Sequence, residues 1–232
     1  MFNSKKTLIV AAHPDDEILG CGGTAKLLAK NGTDVKVIIL GEGAQSRSGT
    51  VPEAEIDKTL SDLKTQAKQA GHTAGINEVI FGGLSDNRFD TVALLDIIKI
   101  LEQVKRDFKP DTVFTQHGGD LNNDHFITNK ATLTAFRPLP DENCIRLYAY
   151  EVQSSTEFAN PTFHENAFRP NVFVDIADSM QTKLDAFAFY KSEIQPDPYP
   201  RSMESIKILA QMRGRQCGKE YAEAFMLMRE IY

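Results

Sequence analysis

Two short polar clusters carry most of the chemistry that this sequence can offer. The first is His13-Pro14-Asp15-Asp16-Glu17, directly after the apolar run Thr7-Leu8-Ile9-Val10-Ala11-Ala12. His13 and Asp16 are three residues apart across a turn stiffened by Pro14, so both can point at one centre while Asp15 points elsewhere. Three acidic side chains packed behind a buried strand repel one another unless a cation offsets their charge. A bound metal answers that requirement. The second cluster is Gln116-His117-Gly118-Gly119-Asp120-Leu121-Asn122-Asn123-Asp124-His125, with two histidines, two aspartates and two asparagines around a flexible glycine pair.

A catalytic zinc takes three protein ligands and keeps a fourth position for water. His13, Asp16 and His125 make up that count, one ion per chain, although such a set accepts other divalent metals too. Binding to the ion lowers the pKa of water from about 15.7 toward roughly 7. Asp15 is the nearest carboxylate able to orient that water and take its proton. The ion also polarises a carbonyl and stabilises the oxyanion. The chemistry expected is amide hydrolysis.

Elements that would bring the clusters together are visible along the first two-thirds of the chain. Strand-like segments at 7–12, 34–40, 78–81 and 111–115 alternate with helix-like segments at 18–31, 53–70, 92–108 and 125–136. That rhythm predicts an α/β, Rossmann-like three-layer fold with a mostly parallel sheet wound by right-handed crossovers. In a sheet whose order reverses beside the first strand, strands one and four are neighbours, and their carboxyl-end loops face one another across the switch point. Residues 1–137 form this core in our reading. Residues 138–232 add further strands and helices to the same domain: strands at 145–151 and 171–175, helices at 178–190, 202–216 and 220–228, and a stiff crossing at 195–201. Asp178 or Ser179 is expected to cap the first of those helices.

Composition limits the partners. The chain has 232 residues, 41% hydrophobic and 25% charged, with a net charge of -6 and scattered basic residues. This excludes the electrostatic footprint of a nucleic-acid or anionic-membrane binder; a compact polar substrate fits better. No apolar stretch reaches the length of a membrane span, and the N-terminus lacks the pattern of a signal peptide. Cys21, Cys144 and Cys217 are far apart, which argues for a reducing cytoplasm and against disulfides or a cysteine-based zinc site.

Ala12-His13-Pro14-Asp15-Asp16-Glu17 resembles the first signature of the LmbE-like, or PIG-L, de-N-acetylase family, and Asp124-His125 fits its second. The resemblance extends through Arg213-Gly214 and an expected aromatic C-terminal helix. It implies His13, Asp16 and His125 as zinc ligands, Asp15 as general base, and removal of acetyl from an N-acetylated amino sugar. It also allows a homo-oligomer. Many members carry a histidine three residues before the last ligand, whereas this chain has Asn122. The source of the leaving amine's proton therefore stays open among His117, Asp120 and Asp15.

Other residues carry weaker signals. Arg47, in the loop after the second strand, could hold substrate hydroxyls or a phosphate, with Asn122, His117 and Asp120 as further contacts. Asp86 and Arg88 are expected to pair and fix their loop, Asp124 to cap its helix or support a ligand, and Tyr150 and Glu151 could border the pocket. His72 and His164 are expected to be ordinary surface or loop residues. Gly20-Cys21-Gly22-Gly23-Thr24-Ala25 matches the loose dinucleotide pattern GxGxxA. Its first glycine comes seven residues too late for the turn that leaves the strand, so close helix packing is the better reading. A metal- or sugar-binding module without catalysis, or a hydrolase of another linear amide, remains the alternative.

Overall fold

A computed structural model describes residues 4–43, 53–140, 142–160, 162 and 167–232. A seven-stranded sheet runs in the order β3-β2-β1-β4-β5-β7-β6. Its strands are β1 (Lys6–Ala11), β2 (Asp34–Gly41), β3 (Glu78–Leu84), β4 (Thr112–Gln116), β5 (Arg146–Tyr150), β6 (Val172–Asp175) and β7 (Ala222–Glu230). The strands from β3 through β5 are parallel, and β7 runs antiparallel to both its neighbours. β1 lies between β2 and β4, with Thr7, Leu8 and Ile9 opposite Thr112, Val113 and Phe114. The adjacency that the two polar clusters require is present.

β1 is apolar on both sides because helices cover both faces. Ile9 and Ala11 join one core cluster, while Leu8 and Val10 join the other. That alternation follows from the two-residue period of a strand. α1 (Asp16–Lys30), α2 (Glu53–Thr73), α5 (Met180–Phe187) and α6 (Met203–Cys217) contribute to the first cluster. α3 (Leu94–Phe108) and α4 (Asn123–Ala135) contribute to the second. Three layers result. No helix among the described residues is long and apolar enough to cross a membrane.

α1 lies unusually close to the sheet. A Cβ added at Gly20 would lie 2.1 Å from Cδ2 of Tyr150, and that ring is fully buried with its hydroxyl donating to the Val10 carbonyl at 2.8 Å. The glycines of the dinucleotide-like pattern are packing residues. A buried ion pair then locks α1 to the C-terminal elements. Glu223 of β7 accepts from the backbone N–H groups of Gly23 and Thr24 at 2.9 and 2.7 Å and from Lys183 Nζ at 2.6 Å. Lys183, on α5, also donates to the Leu19 carbonyl at 2.7 Å.

Two expectations for the C-terminal part need correction. Residues 220–228 are expected to be helical, yet from Ala222 onward they belong to β7. Backbone pairing to β5 on one side and β6 on the other overrides that propensity. The expected helix 178–190 is a 3₁₀ turn at Ala177–Ser179 followed by the shorter α5. The Ser179 hydroxyl donates to the Gly23 carbonyl at 2.9 Å, away from its own helix.

The Tyr150 contact is rigid on both sides, so Gly20→Ala should destabilise the protein by roughly 1–3 kcal/mol as overpacking. Urea unfolding measures this, and an unchanged midpoint would contradict the contact.

Candidate functional site

The loops leaving β1 and β4 meet over the carboxyl ends of the sheet. His13 follows β1, Asp16 opens α1, and His125 lies in the first turn of α4. One donor atom from each of the three falls within 4.8 Å of the others. His13 Nδ1 is 3.5 Å and His125 Nε2 3.4 Å from Asp16 Oδ2, and the two rings are 5.3 Å apart between centroids. Asp16 Oδ2 accepts from the His13 backbone N–H and from Gln116 Nε2, both at 2.8 Å. Asp16 Oδ1 is fully buried and has no hydrogen-bond partner. A buried carboxylate beside two imidazoles, with one of its oxygens lacking any donor, has the chemistry of a cation ligand.

The outer nitrogens of both rings face carboxylates, an arrangement that fixes ring orientation at metal sites. His125 Nδ1 lies 3.1 Å from Asp120 Oδ2, which also accepts from Thr156 Oγ1 at 2.8 Å. His13 Nε2 lies 3.0 Å from Asp124 Oδ2 and 2.8 Å from Asp86 Oδ1. His13, Asp86 and Asp124 also satisfy the spacing of a cation site. Asp124 is already engaged through both oxygens, since Oδ1 accepts from the Phe89 N–H at 3.0 Å. The set containing the orphaned Asp16 oxygen is the better ligand group.

Asp15 is held by its backbone and by a distant arginine. Its φ of 105° is a left-handed conformation unusual for a non-glycine residue. Its N–H donates to Glu17 Oε2 at 3.1 Å, and its carbonyl accepts from Ile18 and Leu19. Glu17 is held in turn by the Tyr190 hydroxyl at 2.5 Å. Arg201 Nη1 donates to Asp15 Oδ2 at 2.8 Å and lies 3.3 Å from Glu193 Oε2. Asp15, Arg201 and Glu193 line a cavity of 140 Å³, whose walls also include His13, Asp86 and Asn122.

Burial and charge set the protonation states. Burial raises the Asp15 pKa well above the usual carboxylate range, more than the Arg201 cation lowers it, and Asp16, Glu193 and Glu17 push the same way as burial. Burial likewise lifts Glu17 to about 7. For His125, burial acts against the charged ring, but Asp16 and Asp120 outweigh it and raise the pKa to about 9. Burial is also outweighed at Asp16, where His125 and His13 hold the carboxylate well below its usual range.

The remaining expectations separate. Asn122 lines the cavity and caps α4, its side-chain oxygen accepting from the Asp124 N–H at 2.9 Å; Asp124 is therefore not the cap but the partner of His13. Asp120 orients His125. His117 is buried with its ring against Phe168 at 5.4 Å, and it does not line the cavity. Asp86 pairs with His13 where Arg88 was expected. Tyr150 lies inside the core, and Glu151 pairs with Arg213 at 2.7 Å. His72 is exposed. Arg47 and His164 lie outside the described residues.

Sequence reasoning missed Arg201, Glu193 and the role of Gln116. Gln116 stood at the head of the second cluster and could have been found there. Arg201 and Glu193 lie in or beside the Pro-rich crossing near 195–201, where no periodicity marks them.

Comparison with known proteins converges on one group. The family model described as PIG-L, GlcNAc-PI de-N-acetylase, matches residues 8–136. The chain is 26% identical over 238 residues to the diacetylchitobiose deacetylase of Thermococcus kodakarensis, covering 100% of this chain and 86% of that one. The solved N,N'-diacetylchitobiose deacetylase of Pyrococcus horikoshii superposes with a TM-score of 0.78 at 22% identity, covering 98% of this chain and 85% of that one. The same fold recurs in GalB, the 4-carboxy-2-hydroxymuconate hydratase of Pseudomonas putida. Its TM-score is 0.75 at 22% identity, covering 98% of each chain. Fold alone therefore does not fix the reaction.

The raised His125 pKa has a stability consequence in metal-free protein. The charged ring contributes fully below the ordinary histidine value of 6.5, and that contribution is lost as pH rises through about 9. Chelated protein should lose on the order of 3 kcal/mol across that window, read from urea midpoints at each pH. Asp120→Asn should make the decline shallower, and a flat wild-type profile would refute the pairing.

Proposed function

This chain belongs to the PIG-L family, and we propose that it is a zinc-dependent N-deacetylase acting on an N-acetylated amino sugar, with residues 1–232 as one catalytic domain. The buried Asp16 carboxylate, one oxygen without a donor and the other within 3.5 Å of a nitrogen of each of two imidazoles, is the observation that carries this reading. His13, Asp16 and His125 would hold one ion, and two imidazoles with one carboxylate suit zinc. Bound there, zinc supplies an acidified water and polarisation of the acetamide carbonyl.

The chain's own residues do the rest. Asp15, facing the same cavity, takes the proton of the attacking water, and its raised pKa suits a group that must receive a proton and release it again. Arg201 keeps the carboxylate aligned and remains balanced by Glu193 once Asp15 is protonated. Asn122 offers an amide N–H to the developing oxyanion but cannot deliver a proton. His117 packs on Phe168 and Asp120 is committed to His125, so Asp15 also protonates the departing amine. The three free cysteines suit a cytoplasmic enzyme.

Asp15→Asn should lower kcat by about 10²–10⁴-fold while retaining one zinc per chain, measured by acetate release alongside elemental analysis. Full activity in that variant would remove Asp15 from the mechanism. A chelator should abolish acetate release and added zinc restore it, whereas His125→Ala should purify with far less metal. Undiminished turnover after exhaustive chelation would defeat the metal assignment.

A further inference from the structure

Among the described residues that line the cavity over Asp15, acidic side chains outnumber basic ones. Its described lining holds the carboxylates of Asp15, Asp86 and Glu193, and its one Lys or Arg is Arg201. That guanidinium is already shared between Asp15 and Glu193, and its Nε donates to Ser154 Oγ at 2.7 Å. Burial orders these groups by depth. Asp15 and Asp86 are buried, whereas Asn87, Asn122, Glu193 and Arg201 are partly or fully exposed and form the mouth. Asn122 Nδ2 donates to Asn87 Oδ1 at 3.3 Å, which joins two carboxamides along one side of that mouth.

An acetamido group that reaches the floor leaves the rest of its substrate among these mouth residues. Sugar hydroxyls find carboxylate acceptors and carboxamide donors there. A phosphate or carboxylate meets Glu193, and like charges brought together in a partly desolvated cleft cost binding. A free ammonium gains from the same carboxylate.

We propose that the site selects N-acetylated amino sugars whose remaining part is neutral or positively charged, and that Glu193 turns anionic conjugates away. The identity of the reacting group rests on the deacetylase reading; the selectivity rests on the mouth. Discrimination by a repulsive group is an ordinary route to specificity.

The experiment uses the zinc-loaded full chain. Acetate release is compared for N,N'-diacetylchitobiose, a neutral probe, and N-acetylglucosamine 1-phosphate, an anionic one. Calorimetry then compares binding of glucosamine and glucosamine 1-phosphate. The neutral probe should be favoured at least tenfold in kcat/KM, and glucosamine should bind more tightly than its phosphate. Glu193→Gln should narrow the ratio at least threefold, and Glu193→Lys should invert it. Each ratio is taken within one variant, so a general loss of activity does not imitate the effect. Equal or better use of the phosphate by the unaltered protein, or an unchanged ratio in both variants, overturns the proposal. Amines binding in the expected order with no acetate released from either probe would sustain the selectivity and overturn the deacetylase reading.

Discussion

Three consecutive acidic residues at the end of a buried strand are the constraint around which this molecule is arranged. Asp15, Asp16 and Glu17 are each almost wholly removed from solvent, and burying one unpaired carboxylate is already costly. The fold separates their fates. Asp16 is drawn between two imidazoles, Asp15 faces an arginine, and Glu17 is raised toward neutrality and bonded to a tyrosine. Two distant parts of the chain are recruited: α4 for one imidazole, and the segment after α5 for the tyrosine and the arginine. Much of the tertiary structure is thereby tied to one turn.

The part of the site closest to β1 and β4 was visible in the residues themselves. Short apolar runs, each followed by a polar cluster, told which loops would meet, because parallel strands place their carboxyl ends on one rim. The ligand candidates His13, Asp16 and His125 converge as the adjacency of β1 and β4 requires. The helix-packing glycines were legible too, since the distance from the strand to the first glycine ruled out a phosphate-binding turn.

What was not legible came from pairings over long sequence separations. Arg201 reaches Asp15 across 186 residues and Glu223 reaches Gly23 across 200. A charged residue in a proline-rich crossing carries no periodic signal that names its partner. β7 failed for a related reason: Ala222 to Met228 prefers helix locally, but a gap between two strands imposes extended backbone. The Asp86 pairing was misassigned because Arg88 was nearer along the chain, while His13 was nearer in space.

The long reach of Arg201 separates two events in the life of the chain. Every residue proposed to grip the ion has been added to the chain once position 125 is made, and β1, β2, β3 and β4 have been synthesised by then. The arginine that steadies Asp15 arrives last, along with the strand that fills the sheet between β5 and β6. The order of synthesis thus splits the site in two, with the proposed ion-binding residues made well before the arginine that pairs with the proposed base.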